Sequence, residues 1–562
     1  MIVCFFIFLF NLFLYADSLP ASTIEIESKH LSIDDSLKLI LVNKELKELN
    51  DSKAPVKSFL VQDQLFHFAL PIQEFQTGQN YLATNENHQT YHFQITQLPV
   101  LKISHSLEII DEPKIPARLF LVESSGKVIE SFMGIELRGG WAQSVPKKSF
   151  RIETWKDSSG TIKKDIQPLQ LRKDDDWNLQ ALFNEPLKVR SKVNHELWRK
   201  FNSLHYSKEE PQAINGIRQE FIEVFLNNRY QGLYSLSERI DRKQLKLKKN
   251  KKSEMRGELY KGILWGASTY DEAPKFDNSS KVWSGFEYEY PKDTTNWDNL
   301  FQFVDFVVNE DSLSFVENYT EYFEIQNAVD YFLFLNFLRA TDNTGKNLYM
   351  AKYKANDPYF FLPWDLDGTL GILYDGSTDT TTNDILSNGF YNRLLLDSNF
   401  IKLRNAKWNS LRDFLSANWD ISTIMEEKNY LESNGVYLRE AMVYPSENYL
   451  DSNNLEFTEQ WLKKRIQFLD SLCNYDSKVE PDSENRKGFS IRTESSFDLV
   501  KMESEKKISR VTLSTVQGKP LFEKSPNSHN FEMETTNFIR GAYLLLIQTE
   551  NKKFYVKKIQ LP

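Results

Sequence analysis

TDNTGKNLYM (341–350) is followed closely by PYFFLPWDLDGTLG (358–371). In the second stretch the apolar run Tyr359 to Leu362 passes into Pro363 and Trp364, then ends in Asp365 and Asp367 before two glycines. A short apolar run bounded by turn residues predicts a buried strand. A buried strand ending in carboxylates sets negative charge at a sheet edge or cleft, where an unpaired carboxylate is very costly. A counter-ion is therefore expected. Magnesium, or manganese in its place, suits hard oxygen ligands, whereas nothing here offers the Cys or His of a zinc site.

Immediately upstream, AVDYFLFLNFLRA (328–340) is apolar all round and predicts a core helix. Asp342 and Asn347 follow it, five residues apart in a loop containing Gly345. Phosphoryl-transfer enzymes of the protein-kinase type use that spacing to place a catalytic Asp and a metal-binding Asn. Asp365 then takes the place of their second metal-binding Asp, with Asp367 beside it. Each piece alone has a plainer reading. Asx side chains bond the local backbone in turns, Trp364 packs, and Asp367 caps the turn before Gly368.

GIELRGGWAQSVPKKSFRIETW (134–155) reads as a strand, a glycine-rich turn and a second strand with Lys147 and Lys148 at its start. Glycines at 139 and 140 let the backbone approach a ligand closely. Lys147 or Lys148 can reach phosphate oxygens, with a carboxylate such as Glu238 to hold it. Without Gly-x-Gly-x-x-Gly, a hairpin with exposed lysines accounts for the block equally well.

Working outward, residues 98–475 alternate strands such as SFRIETW (149–155) and FIEVFL (221–226) with helices. Residues 22–97 carry short β-rich runs, including LKLILV (37–42) and SFLVQDQLFHFALPI (58–72), which predict a small β-sandwich. A charged, turn-rich linker falls at 476–488, and alternating strands fill 489–562. Residues 2–15, IVCFFIFLFNLFLY, have the length of a signal-peptide h-region, so 1–21 is read as a cleaved export signal. Cys4 leaves with it, and Cys473 then has no intramolecular partner. No later run is long and apolar enough to span a membrane.

The chain has 562 residues, 69 basic and 78 acidic side chains and a formal charge of −9. Eleven Trp, 25 Tyr and 40 Phe can fill several cores, which excludes a disordered chain and fits three or four domains. A mildly acidic chain has no global attraction for nucleic acid. The basic stretch RKQLKLKKNKK (242–252) reads as a solvated face. HQTYH (88–92) lacks the Glu of a zincin motif. Asp365 and Asp367, two apart on an extended strand, point the same way and do not flank a sugar.

In order, LPVLKI (98–103) with KIPARLFLV, LRGGWAQSVPKKSFRI, DWNLQALFNEPLKVRSKVNHEL (176–197), FIEVFLNNRYQGLYSLSERID (221–241) and DNTGKN with FLPWDLDGTLG resemble the blocks of the CotH kinases, the spore coat protein H-like family. The resemblance covers about residues 98–475. The expected fold is an α+β chain whose atypical protein-kinase-like central domain is flanked by small N-terminal and C-terminal β-sandwich domains. The flanking sandwiches come from the strand runs at either end, whereas the resemblance itself implies the kinase-like fold, ATP and magnesium use and phosphate transfer to Ser or Thr of protein substrates. On that reading Asp342 is catalytic, Asn347, Asp365 and Asp367 hold metal, and Arg138, Lys147, Lys148 and Glu238 serve the nucleotide. The chain departs from the pattern at Glu185, where an Asp is usual, and at Leu187 and Ser191; Arg190 is kept.

SRVTLSTVQGKPLFE (509–523) and FIRGAYLLLIQTENKKFYVKKIQL (538–561) resemble the sorting domain of the Bacteroidota type IX secretion system. That implies a secreted or outer-membrane-attached protein handled by the type IX machinery, in agreement with a signal at the N-terminus. A surface adhesion module that keeps the fold without catalysis is the competing expectation.

Overall fold

A computed structural model describes residues 22–561 except 53, 252–253, 265–269, 413–414, 416, 446–451, 476–488, 495–498, 516–519, 539–540 and 551–553. The expected signal and linker lie outside the described residues. The protein is a mixed α+β chain whose described residues form four sheets.

Seven N-terminal strands between Thr23 and Ile95 form one continuous sheet. A sandwich was expected, with two separate sheets. Its strands are joined in one ladder, in which two pairings are parallel, Thr23–Glu25 with Val56–Val61 and Leu39–Val42 with Thr90–Ile95. At the other end, six strands between Phe489 and Leu561 form one further sheet around its own apolar core.

Between them lies a closed barrel. Its order is Val128–Arg138, Ser149–Trp155, Asp176–Gln180, Arg229–Ser237, Gln219–Leu226, Val100–His105, Ile115–Val122. Residues alternating along these strands fill the interior, among them Leu101, Ile103, Met133, Ile135, Ile152 and Leu179. That period of two turns every other side chain inward, and closure removes the exposed edges.

A five-stranded antiparallel sheet follows, in the order Val282–Trp283, Phe286–Tyr290, Glu258–Ile263, Lys346–Lys352, Tyr359–Pro363. The core helix Ile325–Leu338 packs on it, buried at every position from Asn327 to Leu338. Glu324 caps its N-terminus by accepting from the Gln326 and Asn327 amides, and Arg339 ends it with φ +48°. Asn327 covers the sheet's outer edge: its amide donates to Phe361 O at 3.0 Å and accepts from Phe361 N at 2.7 Å. The helix is thereby fixed to the strand that runs into Asp365. Cys473 is buried in the same core, and burial pushes its thiol up to about 11. Among the described residues no helix is long and apolar enough to cross a membrane.

Candidate active site

The strands Lys346–Lys352 and Tyr359–Pro363 pair antiparallel, Leu348 opposite Pro363. This pairing carries Asn347 and Asp365 to the same end of the sheet. Trp364 N donates to Asn347 O at 2.9 Å, extending the ladder by one bond. Asn343, buried in the 3₁₀ turn Thr341–Thr344, donates from one amide nitrogen to both Asn347 O (2.6 Å) and Trp364 O (2.8 Å). That single side chain joins the Asp342 turn to both strand ends. Asn347 and Asp365 each adopt left-handed backbone, φ +53° and +55°. The conformation costs most L-residues about 1–2 kcal/mol and is tolerated best by Asn and Asp.

These residues line a cleft of about 340 Å³ between the barrel rim and the five-stranded sheet. Arg138, Lys147 and Ser149 contribute from the barrel side; Lys261, Asn347 and Asp365 face them. Asp342 and Asp367 also line it. Among the described residues, the side chains of Asp342, Asn347 and Asp365 make no hydrogen bond or ion pair with other protein groups. Burial raises the Asp342 carboxyl to about 6, with Lys346 opposing and the Asp365 charge adding to the rise. Burial, reinforced by the Asp365 charge, also raises Asp367. Half-buried carboxylates that repel each other, next to an uncommitted amide oxygen, form an all-oxygen donor set that suits a hard divalent ion.

Asp367 does two things. Its Oδ1 accepts from Gly368 N at 2.9 Å, which is the turn-capping role, and its Oδ2 accepts from Asn184 at 3.0 Å. Asn184 also donates to Tyr374 O, tying the turn to the segment after Gln180. From beneath, Asn194 of the helix Arg190–Phe201 donates to Leu366 O and Thr369 Oγ1. Glu185, the departure from the family pattern, is fully buried, pairs with Arg190 and accepts from Leu187 N at 2.9 Å. The substituted residue still anchors the start of that helix.

Three expectations about the cations require correction. Glu238 does not hold a cleft lysine; it is buried against Arg218, accepting from its Nη2 at 2.6 Å, and accepts from Arg172 N at 2.8 Å. Lys148 does not line the cleft, because its Nζ turns back onto Gln143 O (2.7 Å) and Val145 O (2.6 Å) and closes its own turn. Lys147 does line the cleft, but its partner is Glu440, at 2.5 Å, with a second bond to Leu233 O. Both members of that pair are fully buried. Gly232, at φ +88°, lies against them, and a Cβ there would overlap Glu440 Oε1. Of the glycine pair, Gly139 has φ +85°, whereas the space around Gly140 is open.

Arg138 closes the barrel strand that precedes this turn. Burial lowers its pKa, Asp365 and Asp367 oppose that shift, and its guanidinium lies 5.5 Å from the Trp364 ring centroid. A guanidinium stays charged regardless. Trp141 and Tyr374, each 41% exposed, meet edge to face across the cleft mouth, 6.1 Å between centroids.

Lys261, Glu440, Asn184, Trp141 and Tyr374 escaped the sequence reading. Trp141 and Asn184 lie inside LRGGWAQSVPKKSFRI and DWNLQALFNEPLKVRSKVNHEL, where no local pattern assigns them a role. Lys261 lies in the strand Glu258–Ile263 with no motif around it, and no local signal marks Glu440. Among the described residues one acidic cluster outside the cleft, Asp165, Asp174 and Asp175, has ligand atoms close enough to share an ion. Lys243 and Arg172 already hold its buried members.

The cleft between the β-barrel and the five-stranded sheet is thus lined with oxygen donors and flanked by cations. The family described as CotH kinase protein matches residues 135–469, more than half of the chain, and the chain belongs to that family. No curated protein sequence matches it.

Proposed function

We propose that this chain is a metal-dependent atypical protein kinase that transfers the γ-phosphoryl group of ATP to Ser or Thr hydroxyls of protein substrates. The observation that carries this reading is the meeting of Asp342, Asn347 and Asp365, uncommitted to other protein groups, in one cleft. Family membership points the same way. A magnesium or manganese ion held by Asn347 and Asp365, with Asp367 beside them, supplies charge neutralisation on the phosphates.

Asp342 stands at the cleft wall to orient the acceptor hydroxyl and take its proton as the oxygen–phosphorus bond forms and ADP leaves. Arg138 offsets phosphate charge. Catalysis of this kind is mostly positioning and electrostatics, so a metal carboxylate matters more than a peripheral cation.

The test is Asp365→Ala, with folding verified by circular dichroism. Phosphate incorporation from labelled ATP into a Ser/Thr protein substrate is expected to fall at least about 100-fold. Unchanged incorporation ends the assignment. Calorimetry separates the adhesion alternative: Mg-ATP heat abolished by EDTA supports the kinase, and its absence in the parent protein favours a binding module.

We also propose that the N-terminal apolar run exports the chain and that residues 489–562 are a type IX sorting domain, placing the enzyme outside the cell or on its surface. The order of strand, Gly-Lys turn, Gly-x-Tyr strand and basic last strand supports this. Deleting 489–562 should leave the protein in the periplasm of a type IX-secreting host.

A further inference from the structure

We infer that Lys261 is the lysine that grips the nucleotide's phosphate chain, opposite Arg138, so that the ligand bridges the two walls of the cleft. This rests on the kinase reading above and names a residue that the reading does not supply. Lys147 is already neutralised by Glu440 at 2.5 Å and is fully buried. Lys148 is committed to its own turn. Lys346 faces Asp342, whose carboxyl it helps to keep ionised.

Lys261 differs from all three. It sits in Glu258–Ile263, opposite Glu287 on one neighbouring strand and Tyr349 on the other, and lines the cleft. Cross-strand neighbours share a face. Yet among the described residues the Lys261 side chain makes no ion pair and no hydrogen bond, even with Glu287. Lys261 is partly exposed, so this cleft-lining cation is open to an anion from outside the chain. The three carboxylates of the cleft accept cations, so the anion that completes Lys261 must bring its own metal. A metal-bound polyphosphate has that chemistry. Arg138 on the barrel rim and Lys261 on the sheet then hold it from opposite sides.

Calorimetry on the full chain tests this with Mg-ATP and with adenosine. Lys261→Ala should weaken Mg-ATP by about tenfold to a hundredfold, the worth of one charge-assisted hydrogen bond, and leave adenosine affinity unchanged. Lys261→Arg should restore most of the binding, and Lys148→Ala should match the parent. Parent-like Mg-ATP affinity in a folded Lys261→Ala overturns this inference alone. A parent protein that binds no Mg-ATP overturns the kinase reading and this inference with it. Equal losses for adenosine and Mg-ATP also overturn it, because they mean the lysine shapes the cleft and not the phosphate contact.

Discussion

Arg339 and Asp384 form a bidentate ion pair, Nε to Oδ1 at 2.8 Å and Nη2 to Oδ2 at 2.9 Å. Arg339 also reaches Asp379 through Nη1 at 2.6 Å. Arg339 ends the core helix three residues before Asp342, while both carboxylates belong to the segment that leaves the Asp367 turn. Asn336 strengthens the same join, exchanging two hydrogen bonds with Leu386, and Asn388 donates to Thr344 O. The segment after Asp367 is therefore a strap across the Asp342 turn. Asp384→Asn should cost only about 1 kcal/mol in stability, because Asp384 is half-exposed. A sub-ångström shift of Asp342 should nevertheless lower kcat about tenfold with KM for ATP nearly constant. Steady-state kinetics check this, and an unchanged kcat removes the strap from the mechanism.

Asn343 bears on the metal donors in a similar way. Its amide is buried and holds Asn347 and Trp364 together. Asn343→Ala leaves the buried Trp364 carbonyl without that donor and Asn347 O with Trp364 N alone, at a cost of about 1–3 kcal/mol in urea unfolding. Asn347 and Asp365 would lose their common brace, so the magnesium concentration needed for half-maximal Mg-ATP binding should rise. If stability falls while the magnesium requirement stays put, Asn343 supports the fold and not the donor set.

Much of the scaffold could be read from the sequence because its signals are local. The core helix is rich in large apolar residues and buried on every face, and the strands at 149–155 and 221–226 fall inside observed strands. The proximity of Asn347 and Asp365 follows from pairing two adjacent apolar strands. Ion-pair choice was not legible. Lys147 meets Glu440, 293 residues away, and Glu238 instead takes Arg218, which stands just before the strand Gln219–Leu226. Such partners depend on where a distant helix docks, which periodicity does not encode. Lys261 carries no motif either; only the assembled sheet turns it toward the cleft.

The Lys147 and Glu440 pair should behave as a buried unit. Removing one partner, as in Glu440→Leu or Lys147→Met, strands the other charge away from water and should cost about 3–5 kcal/mol. The double variant Lys147→Met with Glu440→Leu should recover most of that loss, since an apolar pair of similar volume is often neutral. Leu233 N, which also donates to Glu440, keeps the recovery incomplete. A double-mutant cycle in urea measures the coupling, and additive losses would contradict a paired burial.

His195 gives the chain a distinct response to acid. It is buried beside Trp364, neither ring nitrogen has a hydrogen-bond partner among the described residues, and burial, with a smaller contribution from Arg199, lowers its pKa to about 3. The folded state therefore keeps the ring neutral, whereas the unfolded chain takes a proton near 6.5. The stability linked to this residue is fully present above pH 6.5 and is lost as pH falls toward 3, at about 1.4 kcal/mol per pH unit. His195→Leu removes the proton uptake and two unsatisfied nitrogens, so the variant should be at least as stable as the parent at pH 7.5. Between pH 6.5 and 4 the parent should lose about 3 kcal/mol relative to the variant. Urea unfolding at half-unit pH steps gives the two curves. Parallel curves would mean that His195 is protonated within the fold, and its burial would then need a counter-charge that the surrounding side chains do not supply.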